Sequence, residues 1–255
     1  MLGNMLDIDK YPLIMAIIGK PGMGKTYQLR KYLKAVGIEI FSVSAADLES
    51  DRAGEPARLL QRRYLEASAS ISEGKPSVLL IDDVDTTLGE WEDHTGTVNH
   101  QDILAFLMHV ADDPYQIDNV GKVNRVPIFF TGNNFALLYK PLVRSGRAIR
   151  FDWEPTREEK IEIVRSIFSF ADARDAVRLV DAWPTKEISF FSELLAEQSI
   201  ARLAAVARDV VFPYILTDKS YKDKLYYQYC EEKRRIDWKT VMAKRRAAEA
   251  GGDCD

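Results

Sequence analysis

Residues 13–26 read Leu-Ile-Met-Ala-Ile-Ile-Gly-Lys-Pro-Gly-Met-Gly-Lys-Thr. The apolar run from Leu13 to Ile18 suits a strand buried on both faces and is too short for a buried helix. It breaks at Gly19, and an amphipathic stretch runs from Lys25 to Val36. A strand therefore hands over to a helix through a glycine-rich turn. That turn, Gly19-Lys20-Pro21-Gly22-Met23-Gly24-Lys25-Thr26, fits G-x-x-x-x-G-K-[ST], the Walker A pattern. Glycines let consecutive N–H groups curl around phosphate oxygens, and the helix dipole adds a positive end. Lys25 is expected to reach the β- and γ-phosphates and Thr26 to offer its hydroxyl to Mg²⁺. Gly19, Pro21, Gly22, Met23, Gly24 and Tyr27 complete the expected lining of an ATP site.

Outward from this turn, short apolar runs alternate with longer amphipathic ones. Strands are predicted at Ile38 to Val43, Val78 to Ile81, Val126 to Thr131 and Ala148 to Trp153. Helices are predicted at Glu55 to Ser72, Val98 to Val110 and Phe135 to Val143. Such alternation implies an α/β fold, a five-stranded parallel sheet with helices on both faces. The 255 residues leave room for a second, smaller domain. A formal charge of -4 argues against a chain that coats nucleic acid through bulk positive charge. No apolar run approaches the ~20 residues needed to cross a bilayer, so no membrane role is expected. Two cysteines are too few for a disulfide framework or a zinc site, and a cytoplasmic setting fits.

The ends of the predicted strands carry the remaining chemistry. Val78-Leu79-Leu80-Ile81 runs into Asp82-Asp83, and carboxylates there overhang the same crevice as the phosphate loop. Asp82 is expected to orient Mg²⁺ and Asp83 to act as the base toward an attacking water. Asp85 either shares the metal or caps a turn, and the second is favoured. The next strand ends in Thr131-Gly132-Asn133-Asn134. An amide between the phosphate and Asp82 suits an attacking water, with Asn133 the first choice and Asn134 the second. Arg144 and Arg147 flank a Ser-Gly turn before the last strand, where two cations could reach a neighbouring subunit's nucleotide.

After Trp153 the pattern becomes helical. Pro155 marks a hinge, and Thr156 with Glu159 forms a capping box ahead of EEKIEIVRSIFSF. Helical patterns follow at Asp172 to Ala182 and Glu193 to Ile215. The expected organisation is 1–154 for the nucleotide-binding domain, 155–216 for a small all-helical lid and 217–255 for a basic, aromatic tail. From Lys219 to Arg246 the tail holds ten basic and four acidic residues. It reads as an amphipathic helix, with a nucleic-acid or partner surface as the less favoured alternative. His94, His100 and His109 show no metal-ligand spacing.

GKPGMGKT, LIDDVD, TGNNF and the arginine turn come in the order seen in AAA+ ATPases. SAADLESDRAGEPARLLQRRY, VNHQDILAFLMHVADDP, RVPIFFTGNNFALLYKPLVRSGR and FDWEPTREEKIEIVRSIF resemble the AAA+ core of the Rubisco activases of plants and cyanobacteria, over about Pro12 to Phe168. The resemblance implies a P-loop ATPase that hydrolyses ATP with Mg²⁺ as a homo-oligomeric, hexameric ring. It implies remodelling of a client protein, with Rubisco the leading candidate. Localisation would be cytoplasmic, or the plastid stroma where a transit peptide precedes this chain. Asn133 would be sensor 1, Arg144 and Arg147 arginine fingers, and Leu48 to Arg52 and Trp91 to Val98 pore loops. Where the family carries sensor-2 arginines this chain has Leu195 and Glu197, with Arg202 or Arg208 as possible substitutes.

Overall fold

The central strands form where the chain is rich in Val, Ile, Leu and Phe. The computed structural model describes residues 11–44, 46–48, 52–87, 98–170, 173–207 and 236–250. Five parallel strands, β1 (Ile14–Ile18), β2 (Glu39–Val43), β3 (Ser77–Ile81), β6 (Ile128–Gly132) and β7 (Ala148–Asp152), lie in the order β2-β3-β6-β1-β7. Register pairs Ile18 of β1 with Gly132 on one side and Asp152 on the other. The order brings the ends of β1, β6 and β3 side by side at a switch point, where ligands of open α/β sheets bind.

Period-two alternation splits the strand side chains between two cores. Ile14, Ala16 and Ile18, Leu79 and Ile81, and Ile128 and Phe130 face helices α2 (Glu55–Ser72) and α4 (Val98–Asp112). Ile17, Val78, Leu80 and Phe129 face Leu29 and Leu33 of α1 (Lys25–Ala35) on the other side. Both faces of the central strands β1, β3 and β6 are covered, which is why these three read as nearly continuous apolar runs. Each such side chain contributes about 1.5–3 kcal/mol relative to exposure. A short helix, α3 (Val84–Thr87), follows β3.

The structure departs from the sequence reading in several places: the short helix after β3 is unexpected, and the helix expected from Glu193 begins at Ile188. The helix expected over Phe135 to Val143 is only a 3₁₀ turn, Phe135–Leu137. Leu138 is already extended, with ψ of 142°, and Pro141 lacks the N–H that a continuing helix needs and biases the residue before it away from helical backbone. A two-stranded antiparallel ribbon, β4 (Gln116–Ile117) and β5 (Gly121–Lys122), follows α4. Strands of two residues carry no readable period. His109 meets the Gln116 carbonyl oxygen at 3.2 Å and ties the ribbon to α4.

Beneath the ribbon, Tyr64 is fully buried. Its hydroxyl donates to Pro114 O at 3.0 Å and accepts from Val126 N at 3.3 Å. Burial pushes the phenol up to about 12. The folded state therefore holds this proton more tightly than the unfolded chain. The associated stability is fully present below about pH 10 and fades as pH rises through about 12. Tyr64→Phe should cost about 1–3 kcal/mol in denaturant unfolding at neutral pH, because both backbone partners lose their hydrogen bond. It should also flatten the alkaline loss of stability, and parental behaviour on both counts would contradict this account.

The chain divides into two units, Met1–Glu154 and Pro155–Asp255. In the second, α5 (Arg157–Phe168) opens on a complete capping box: Thr156 accepts from Glu159 N, and the Glu159 side chain accepts from Thr156 N. Ile161, Val164 and Phe168 of α5 pack with Leu179 and Val180 of α6 (Ala173–Ala182) and Phe191 and Leu194 of α7 (Ile188–Ala207). Val241 of α8 (Trp238–Ala250) is buried in the same core. Arg178 lies 4.0 Å from the centroid of the Trp238 ring, and Lys244 bonds Glu197 at 2.6 Å. Part of the tail's charge is thus used inside this unit. Among the described residues, no helix is long and apolar enough to cross a membrane.

Candidate functional site

The glycine-rich loop leaves β1 at Gly19 and enters α1 at Gly24. Gly24 is the N-cap residue in left-handed backbone, φ 76°, and supplies no capping side chain. The first-turn N–H groups are therefore left for an anion. On the loop's other flank, Trp153 holds it to the end of β7. Its indole N–H donates to Met23 O at 2.8 Å, and its backbone N–H donates to Ile18 O at 2.6 Å. A side chain at Gly19 would place Cβ 2.3 Å from Trp153 O, so the close approach admits only glycine.

Lys25 is buried and its ammonium points back into the loop. It donates to Gly19 O at 2.8 Å, to Lys20 O at 2.9 Å and to Asn133 Oδ1 at 2.9 Å. Burial lowers its pKa, while the charges of Asp83 and Asp85 oppose that shift. The contact with Asn133 spans 108 residues of sequence and exists because β6 lies between β1 and β3. Asn134 turns the other way, and its Oδ1 accepts from Ala136 N at 2.9 Å to cap the 3₁₀ turn. The first-choice asparagine faces the lysine and the second shapes the turn.

Thr131 is the hub between loop and acids. Its hydroxyl donates to Asp82 Oδ1 at 3.0 Å and accepts from Thr26 Oγ1 at 3.2 Å and Asp83 N at 3.3 Å. Two hard oxygen donors, Thr26 and Asp82, thus lie one hydroxyl apart. That donor set suits a magnesium ion arriving with a triphosphate. Among the described residues, no group of three or more His, Cys, Asp or Glu forms an independent metal site.

The three acids have separate surroundings. Asp82 is largely covered and its Oδ2 accepts from Arg30 Nη2 at 2.7 Å. Asp83 has φ of 53°, and its pKa is raised by burial and then by Asp82 and Asp85. Asp85 is buried, and its Oδ2 accepts from Asn133 N at 2.9 Å and Asn134 N at 3.0 Å. Asp85 therefore caps a turn, the favoured alternative, and the turn it caps is the one carrying Asn133. Its Oδ1 has no partner among the described residues.

Arg144 and Arg147 lie away from this cluster, on the turn before β7, and both approach Asp112. Pro21 and Tyr27 are exposed and Met23 half-buried along the loop. Of the pore-loop residues, Leu48 is buried and Arg52 exposed; 49–51 and 91–97, with His94, lie outside the described residues. So do Arg208 and the tail from 217 to 235. Arg202 falls on α7.

Three residues of the site were not singled out from the sequence: Arg30, Thr131 and Asp112. Arg30 had a usable signal, since it follows Thr26 by four positions and so shares its helix face. The indole clamp of Trp153 had none.

The profile of the ATPase family associated with various cellular activities (AAA) matches residues 15–153. The ribulose bisphosphate carboxylase/oxygenase activase of Anabaena sp. (strain CA / ATCC 33047) is 43% identical over 202 residues, covering 75% of this chain and 49% of that protein. The chloroplastic activase of Zea mays is 44% identical over 195 residues, 73% of this chain and 45% of its own length. That of Chlamydomonas reinhardtii is 42% identical over 203 residues, 76% and 50% respectively. The chain spans about half the length of the curated relatives it matches.

Proposed function

This chain, with more than half its length matched by one profile, belongs to the ATPase family associated with various cellular activities (AAA), and from that premise we propose that it hydrolyses ATP as a ring-forming remodeller of a client protein, with Rubisco as the client. The observation that carries the reading is the 2.9 Å bond from Lys25 Nζ to Asn133 Oδ1. It joins the phosphate loop to the residue that would hold the attacking water.

In this reading the loop amides and Lys25 bind the phosphates. Thr26 and Asp82 would hold magnesium, which when bound neutralises charge on the phosphate oxygens. Asp83 takes the proton of the attacking water, and Asn133 orients that water. The arginine turn, Arg144 to Arg147, supplies positive charge toward the nucleotide of the next subunit in a hexamer. Asp85 keeps the Asn133 turn in place by accepting two of its backbone N–H groups. The choice of client rests on the relatives, ribulose bisphosphate carboxylase/oxygenase activases that match about three quarters of this chain at 42–44% identity.

The test is carboxylation by Rubisco blocked with a tight-binding sugar phosphate, with the full chain and ATP added. Recovery that needs ATP and fails with Lys25→Ala supports the reading. ATP turnover without recovery would move the client elsewhere. No turnover would reject a motor and leave a nucleotide-binding switch.

A further inference from the structure

The turn Arg144-Ser145-Gly146-Arg147 carries two arginines with unequal freedom. Arg147 commits all three guanidinium nitrogens within its own chain. Nε donates to Asp112 Oδ1 at 2.6 Å, Nη1 donates to Pro141 O at 2.7 Å, and Nη2 donates to Asp112 Oδ2. Its side chain is only 11% exposed. The backbone is fixed as well: Arg147 N donates to Arg144 O at 3.1 Å across Gly146, whose φ is 95°. Arg147 O in turn accepts from Ile14 N at 3.1 Å, anchoring the turn to β1.

The Arg144 backbone is held as well, its carbonyl accepting from Arg147 N and Ala148 N, but its side chain differs. Its side chain is 60% exposed, and its nearest approach to Asp112 is 3.7 Å, too long for a hydrogen bond. Both arginines border a polar cleft of about 420 Å³ lined also by Asp112, Asp113, Tyr11 and Arg125, but there Arg147 is already bound to Asp112. An anion approaching this face meets Arg144 first, because Arg147 is turned into the Asp112 carboxylate.

We infer that the two arginines have different tasks: Arg144 is the cation presented to the neighbouring subunit's nucleotide, Arg147 is a fixed strut, and Asp112 is the positioning residue that holds the strut and aims Arg144. The inference rests on the ATP-hydrolysing ring proposed above. Bidentate pairing fixes orientation as well as position. Hydrogen bonds from Arg147 hold the Asp112 carboxyl below its ordinary range, so it stays an anion at neutral pH. Asp112 is itself half-exposed, and asparagine at that position keeps a carbonyl oxygen to accept from the covered Arg147. Its substitution should therefore be read in turnover rather than in melting.

The experiment measures kcat, KM for ATP and melting temperature on the full chain. Arg144→Ala should lower kcat roughly a hundredfold, the loss typical of one transition-state donor, with KM and melting unchanged. Asp112→Asn should lower kcat about tenfold at unchanged KM and melting, and Asp112→Glu should recover most of the loss. Asp112→Asn combined with Arg147→Lys should be no worse than either alone, since both break one unit. Mixed with Lys25→Ala subunits, whose Asp112 and Arg144 are intact, the Asp112→Asn chain should regain turnover in trans. A defect confined to its own fold or site would not be rescued in this way. Parental kcat in Asp112→Asn, or a silent Arg147→Ala beside a near-parental Arg144→Ala, would overturn the division of tasks. A parent chain that turns over no ATP would sink the ATPase reading and this inference with it, whereas an active parent indifferent to Asp112→Asn would sink the inference alone.

Discussion

Lys25→Ala lowers affinity for MgATP and MgADP by roughly 10²–10⁴-fold while the chain still folds. Two charge-assisted hydrogen bonds to phosphate oxygens are each worth about 1.5–3 kcal/mol, and alanine supplies neither. The structural cost is smaller. The ammonium releases Gly19 O, Lys20 O and Asn133 Oδ1, but Lys20 and Asn133 are exposed, so water can satisfy them. Removing the lysine also relieves the burial cost that lowers its pKa. These terms oppose one another, and unfolding free energy should move by only about 1 kcal/mol. Lys25→Arg should not restore binding, because a planar fork cannot replace a compact ammonium among three converging oxygens. Titration calorimetry on material of parental melting temperature decides the matter: affinity within threefold of the parent would remove Lys25 from the phosphate site.

The same lysine shows what was legible before the fold was known. Its loop was readable because G-x-x-x-x-G-K-[ST] sat between an apolar run and an amphipathic one, and both formed as β1 and α1. The central strands β1, β3 and β6 were readable because burial on both faces leaves no polar alternation to blur them, whereas the edge strands β2 and β7 carry polar residues and stay partly exposed. Helix α2 was legible to its ends, Glu55 and Ser72, with Pro56 in its first turn and Glu73-Gly74 after its last. The 135–143 stretch misled because its apolar spacing resembles a helix, yet Pro141 forbids one through it. Contacts between charged groups were least legible. In sequence, Asp112 is an acid at a helix end beside Asp113-Pro114, with no mark that Arg147, 35 positions later, will close on it. Only the pairing of β1 with β6 brings Asn133 beside the phosphate loop, while the pairing of β1 with β7 sets the arginine turn at the opposite end of β1, against Ile14.

Asp83→Asn should lower ATP hydrolysis by roughly 10²–10⁴-fold, the usual worth of a general base, and leave binding intact. The backbone makes this variant clean. Asp83 is in left-handed conformation, φ 53°, which Asn tolerates and most other residues do not. Its carbonyl accepts from Thr86 Oγ1 at 2.7 Å and Thr86 N at 3.0 Å, and its N–H donates to Thr131 Oγ1 at 3.3 Å. None of these backbone bonds depends on the side chain. The substitution therefore removes a charge and a proton acceptor without moving the turn, and one fewer anion near a triphosphate should hold affinity level or tighten it. Asp83→Ala provides the contrast, because alanine at positive φ costs about 1–2 kcal/mol and should lower stability where Asn does not. Nucleotide recovered from the Asn variant after incubation with MgATP should be ATP, and from the parent ADP. Hydrolysis by Asp83→Asn within threefold of the parent would move the base elsewhere on the β3 end and leave Asp83 as a surface acid.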